Sequence, residues 1–154
     1  MPLALLKEVY HALVQSALEY GVCGYGRADK TLKKSLEVIQ NSLLKIIYRK
    51  NKRYSTSALY KNMKVLNLNN LFFKNICTHV YQNKNTLIKY KEHNYKLRTP
   101  NIQMDRFRTT KGQHAVNYIG IKLYSTIPQK IKNHENDKKF KLELKGWLKK
   151  VQGN

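Results

Sequence analysis

The sequence predicts an all-α protein, an irregular helical bundle with an N-terminal helical hairpin, a long basic loop and a C-terminal amphipathic helix. Three observations lead there. Apolar residues recur at three- and four-residue steps from Leu3 to Tyr48 and again from Phe140 to Val151, which is the period of an amphipathic helix. Glycines and capping residues punctuate the first of these stretches where helices would stop and start. A hydrophobic content of 42% in 154 residues suits one ordinary domain with a real core, not a disordered basic tail.

The elements follow in order. Leu3, Leu6, Tyr10, Leu13 and Ala17 define the core stripe of a first helix over Leu3–Tyr20, which Gly21, Gly24 and Gly26 end. Asp29 and Thr31 are good caps for a second helix, in which Leu32, Leu36, Ile39, Leu43 and Ile46 or Ile47 continue the period to about Tyr48. The two pair as an antiparallel hairpin across the glycine-rich connection. Ser55–Ser57 caps a short helix through Met63, and Asn67 or Asn69 starts another that carries Leu68, Leu71, Phe72, Ile76 and Val80 towards Tyr81.

From Lys84 to Gln113 the periodicity fades and Thr99-Pro100-Asn101 interrupts any helix, so a long loop with little regular structure is expected. Val116, Tyr118 and Ile119 suggest a brief extended segment before Gly120 opens a turn of helix through Tyr124, and Ile127-Pro128 breaks the chain again. Asp137 caps a terminal helix with Phe140, Leu144, Trp147, Leu148 and Val151 on one face, and lysines around it. Gly146 weakens that helix by roughly 1 kcal/mol relative to alanine. The expected organisation is a single domain: helices over 1–83, a basic loop or linker over 84–113, and a helical segment over 114–154 packing back on the first.

Charge is the strongest functional signal. Thirty Lys and Arg face nine Asp and Glu, for a net +21, and all of that excess lies after Lys30. No carboxylate occurs between Glu37 and Glu92, where eleven Lys and Arg fall. Such an imbalance points to a polyanionic partner. No run approaches the ~20 apolar residues needed to cross a bilayer, and Met1–Leu6 is too short for a secretory apolar core, so an intracellular protein of the nucleus or cytoplasm is expected. Cys23 and Cys77 are too few and too far apart for a disulfide framework, and Cys77 with His79 lacks the second pair a zinc site needs. No metal or other cofactor is expected.

Tyr10–Ser16, Leu18–Val22 and Ile39–Ile47, followed in the same order by Tyr118–Lys132 and by Phe140–Lys145 with Trp147-Leu148, resemble the region after the polymerase core in jockey-like non-LTR retrotransposon reverse transcriptases. Two departures affect packing details: Tyr25 stands where the family usually has a tryptophan, and Ser125-Thr126-Ile127 replaces an asparagine-containing run before Pro128. The resemblance implies a non-catalytic fragment that holds RNA or an RNA–DNA hybrid without sequence preference. Paired Asp residues hold the metal ions of nucleotidyl transfer in that family, and no adjacent pair of Asp occurs here, so no enzymatic activity is expected.

Two groups of cations are candidate contacts. Lys45, Arg49, Lys50, Lys52 and Arg53, flanked by Tyr48 and Tyr54, combine phosphate-pairing charge with rings able to stack on unpaired bases. A solvated helix end would explain one or two of these cations, but not five in nine residues. Arg98, Arg106, Arg108 and Lys111 lie in the expected loop, where a basic segment can order along a nucleic-acid backbone or serve simply as a soluble linker. The lysines of the terminal helix are also compatible with anionic lipid, a weaker reading because Trp147 is wanted in the core. Most tyrosines, Tyr10, Tyr60, Tyr81 and Tyr118 among them, are expected to pack, as is His79. The alternative function is an interaction module, for the polymerase core or for self-association, with Leu5, Leu18, Leu44 and Phe73 forming a second, exposed apolar face. A decayed remnant without function is the third.

Overall fold

Leu3–Tyr25 forms one continuous helical rod in three parts: α1 (Leu3–Val9), a wider π-helical stretch (Tyr10–Gln15) and α2 (Ser16–Tyr25). The computed structural model in which it is seen describes residues 2–90 and 102–152. A π turn takes more residues than an α turn, so inward positions step by four through Leu6, Tyr10, Val14, Leu18 and Val22. This displaces the expected stripe: Leu13 rotates outward to 67% exposure, and Val14 and Leu18 take its place. Gly21 and Gly24 lie inside α2 and do not end it. The rod stops at Gly26, whose Cα sits so close to the Phe72 ring and the Val22 carbonyl that a side chain has no room.

Asp29 caps α3 (Lys30–Ile47), its carboxylate accepting from the Lys30 N–H at 2.7 Å. Tyr10 of the rod meets Gln40, and Lys7 lies over the ring of Tyr48, so residues progressively farther from the connection pair with each other, as an antiparallel hairpin requires. The buried face of α3 is turned one position from the expected one. Gln40 and Leu44 are buried, while Leu32, Ile39 and Ile46 are 66%, 56% and 72% exposed. Gln40 is tolerated inside because its Nε2 donates to the Tyr10 hydroxyl at 2.9 Å and to the Leu66 carbonyl at 3.1 Å. Burial pushes the Tyr10 phenol upward, and the bond from Gln40 only partly opposes it, so Tyr10 stays a neutral core residue.

Two compact units are present. The first comprises Met1–Asn75 and Lys145–Asn154, the second Ile76–Leu144. The boundaries thus fall within α5 (Leu68–Gln82) and α10 (Asp137–Gln152). In the first unit Tyr10, Leu44, Leu59, Tyr60, Met63 and Val65 form the core beneath α4 (Thr56–Met63). Trp147 of the returning helix packs against Phe73 with ring centroids 5.9 Å apart. Glu19 joins Gln15 at 2.7 Å and Lys74 at 2.9 Å. Burial alone would raise its carboxyl, but those two hydrogen bonds with the charges of Lys74 and Lys145 outweigh it and hold Glu19 below the ordinary value.

The second unit is also helical, with one short ribbon. Residues 84–113, expected to be irregular, contain α6 (Lys84–Leu87), the antiparallel strands β1 (Lys89–Tyr90) and β2 (Ile102–Gln103), and α7 (Thr110–Gln113). Val116, Tyr118 and Ile119 are not extended but open α8 (Val116–Ser125). Tertiary packing overrides their β propensity, because Gly120 brings α8 against Val80 and Ile76. After α9 (Gln129–Lys132), Phe140 stacks on Tyr81 at 3.9 Å, and the Tyr81 hydroxyl donates to the His134 carbonyl. Burial pushes the Cys77 thiol up to about 12, so it behaves as a core hydrophobe.

Other expectations also change. Of the four residues expected on an open apolar face, Leu44 is buried, Leu18 and Phe73 are half-buried, and only Leu5 is exposed. His79 is exposed, its carbonyl accepting from Asn83 Nδ2 at 2.9 Å, and Val151 faces outward. The protein is nevertheless all-helical apart from the ribbon among its described residues.

Two of the helical glycines, Gly120 and Gly146, give opposite tests of this packing. A Cβ at Gly120 would come within 2.7 Å of Val80 Cγ2, whereas one at Gly146 meets nothing within 4 Å. Gly120→Ala should destabilise by about 1–3 kcal/mol in thermal or urea unfolding, and Gly146→Ala should stabilise by up to about 1 kcal/mol.

Candidate nucleic-acid interface

The C-terminal end of α3 turns sharply. Tyr48 is its last half-helical residue, the Arg49 N–H donates to the Ile46 carbonyl at 3.0 Å, and the Lys50 N–H donates to the Lys45 carbonyl at 2.8 Å. This is the Schellman arrangement, which places one residue in the left-handed region, usually glycine. Here that residue is Arg49, with φ of 50°. The loop is then closed from within: Lys45 Nζ donates to the Lys52 carbonyl at 2.6 Å, and the Tyr54 N–H donates to the Asn51 carbonyl at 2.9 Å.

Ile47, Tyr48 and Tyr54 fasten this turn to the first unit's core. Each tyrosine ring also carries an ammonium, Lys7 over Tyr48 at 5.4 Å and Lys50 over Tyr54 at 5.2 Å. A base stacking on that face of either ring would have to displace the lysine. Lys45 is half-buried and its ammonium is committed to the loop, whereas Arg49, Lys50, Lys52 and Arg53 are exposed. The structure therefore divides the seven residues singled out in the sequence. Lys45, Tyr48 and Tyr54 build the turn, and four exposed cations surround it, Lys50 with its ammonium over the Tyr54 ring. Sequence reading missed Lys7, which joins only because the hairpin folds its helix beside α3.

Arg106, Arg108 and Lys111 belong to the second unit and are all exposed. Phe107 between the two arginines packs edge-on against Tyr118 at 5.5 Å, and its carbonyl accepts from Gln113 Nε2 at 3.1 Å. Thr109 caps α7, its Oγ1 accepting from the Gly112 N–H at 3.2 Å. These cations are thus presented by a hydrogen-bonded turn and not by a featureless loop. Arg98 lies outside the described residues.

Among the described residues, no group of three or more His, Cys, Asp or Glu side chains is placed to hold a metal ion, and no helix is long and apolar enough to cross a membrane. No family model matches the chain, and neither the curated proteins nor the solved structures contain a significant match.

The left-handed turn at Arg49 yields a direct test. A β-branched residue cannot adopt this conformation without strain, while glycine can. Arg49→Gly should therefore melt above Arg49→Val by an amount equivalent to about 1–2 kcal/mol.

Proposed function

We propose that this chain is a non-catalytic, intracellular nucleic-acid-binding module that grips the phosphates of RNA or an RNA–DNA hybrid without reading sequence. In this reading it derives from the region after the polymerase core of a jockey-like non-LTR retrotransposon reverse transcriptase, which its ordered sequence blocks resemble, and it works in the nucleus or cytoplasm without a cofactor. The observation that carries the binding role is the turn after α3. Arg49, Lys50, Lys52 and Arg53 are exposed on a packed, hydrogen-bonded base, in a stretch of sequence that contains no carboxylate from position 38 to 91. Because the backbone of the turn is already fixed, these cations have side-chain freedom but little backbone freedom to lose on meeting a phosphate backbone. Helix-end stabilisation accounts for about half a unit of opposing charge, far less than four cations supply. Arg106, Arg108 and Lys111 provide a second, smaller contact.

Phosphate contacts release counterions, so binding of a single-stranded RNA should weaken with salt. Four contacts give a log–log slope of about −3, and the double variant Arg49→Glu with Lys50→Glu should reduce that slope by at least half. Fluorescence anisotropy across ionic strength measures both. Affinity indifferent to salt removes the reading.

A second reading, an interaction module, is favoured by one observation. Leu32, Ile39 and Ile46 are exposed at seven-residue intervals along α3, with half-buried Leu36 and Leu43 between them, which is the spacing of a helix–helix seam. If a second copy covers that seam, light scattering of the wild-type chain gives a dimer mass and Ile39→Lys gives a monomer. A monomeric wild type at tens of micromolar excludes self-association.

A further inference from the structure

A second cationic feature lies in the first unit, formed by other residues than the turn that carries the proposed function, and it is concave. Lys61 and Lys64 at the end of α4 and Lys149 and Lys150 in the last turn of α10 line one cavity of about 320 Å³, with Tyr60 and Val65 among its walls. We propose that this cavity binds a phosphate dianion, as a phosphomonoester or a diphosphate.

The cavity is built by specific contacts. Gln152 forms part of the wall and ties the end of α10 to the α4–α5 connection: its Nε2 donates to the Val65 carbonyl at 3.2 Å, and its Oε1 accepts from the Asn67 N–H at 3.1 Å and from Asn70 Nδ2 at 2.8 Å. These bonds join residues more than eighty positions apart, and they hold two helix C-termini at one site. Each terminus contributes about half a negative charge, which explains why lysine is welcome there. Two half-charges offset about one of the four ammoniums, however, and among the described residues no carboxylate lines the cavity. Roughly three positive charges remain that the described lining residues do not offset.

Two further observations concern these lysines. Burial, together with the neighbouring charges of Lys145 and Lys64, holds the Lys149 ammonium below its ordinary value. Lys64 itself sits at φ of 54°, ψ of 35°, in the left-handed region that favours glycine. The described residues contain two non-glycine residues with positive φ, Arg49 and Lys64, and both are cations ending a helix within a basic cluster. A left-handed residue commonly ends a helix, and glycine is the usual occupant, so at Lys64 the chain carries an ammonium where the backbone would favour no side chain. A diester phosphate brings one negative charge, whereas a monoester or diphosphate brings about two or more, so the dianion relieves more of the mutual repulsion. At about 320 Å³ the cavity also falls within the range of small-ligand sites.

Isothermal titration of the full chain with inorganic pyrophosphate at low salt tests the site. One-to-one binding is expected, weakened about tenfold by Lys64→Gly and by Lys149→Gln, retained by Lys149→Arg, and changed less than twofold by the Arg49→Glu, Lys50→Glu double variant. Lys64→Gly should also melt at or above the wild type, because it removes the left-handed strain, so lost binding cannot be ascribed to unfolding. A 5′-phosphorylated oligonucleotide that outcompetes its 5′-hydroxyl counterpart, with the advantage abolished by Lys64→Gly, identifies a strand end as the source. Equal oligonucleotide affinities alongside pyrophosphate binding identify a free diphosphate. Absence of pyrophosphate binding, or binding unaltered by both lysine substitutions, overturns the proposal. Because the double variant alters only the other cluster, this result is independent of whether RNA is gripped at Arg49–Arg53.

Discussion

Nine carboxylates cannot neutralise thirty cations, and the rest of the structure has to be compatible with that imbalance. Most lysines and arginines must face water, an aromatic ring, a helix C-terminus or an external anion. All of the first three are in use. Lys7, Lys50, Lys84 and Lys132 lie over tyrosine rings at 5.1 to 5.4 Å. Lys45 and Lys132 donate to backbone carbonyls. Glu19 shows a carboxylate organising packing, between Gln15 and Lys74. Each of these devices accommodates one cation locally and leaves the net charge unchanged.

Helix ends are where the imbalance becomes local. A helix C-terminus attracts cations through its dipole, and the tight turn that closes it brings successive side chains together. At the end of α3 this gathers Arg49 with Lys50, Lys52 and Arg53 on a turn anchored to the core. At the end of α4 it places Lys64 beside the last turn of α10. At the end of α3 a Schellman turn places Arg49 in the left-handed region, and Lys64 ends α4 in the same backbone region.

The helices themselves were legible where local pattern and packing agree. The 3.6 period placed α3, α4, α5 and α10 close to their observed bounds. Faces were harder. The π stretch at Tyr10–Gln15 changes the residues per turn, so Leu13 left the stripe that spacing assigned it. Gln40 displaced Ile39 from the core of α3 because two acceptors, Tyr10 and Leu66, wait for its amide. Val116–Ile119 went helical because Gly120 allows a close approach to α5 that no local propensity records.

The sequence by itself determined the helical class, the charge excess and the cluster of cations at Arg49–Arg53, because periodicity, composition and short-range spacing are properties of the chain read in order. Only the tertiary structure decided which of those cations are free, since Lys45 is committed by a carbonyl seven residues on and Lys7 arrives from another helix. It alone brought Lys61 and Lys64 to Lys149 and Lys150, across more than eighty residues. The physical reason is that a side chain's partner is set by where the backbone returns. That return is fixed by long-range burial and hydrogen bonds such as those of Gln152, which leave no local signature in the chain.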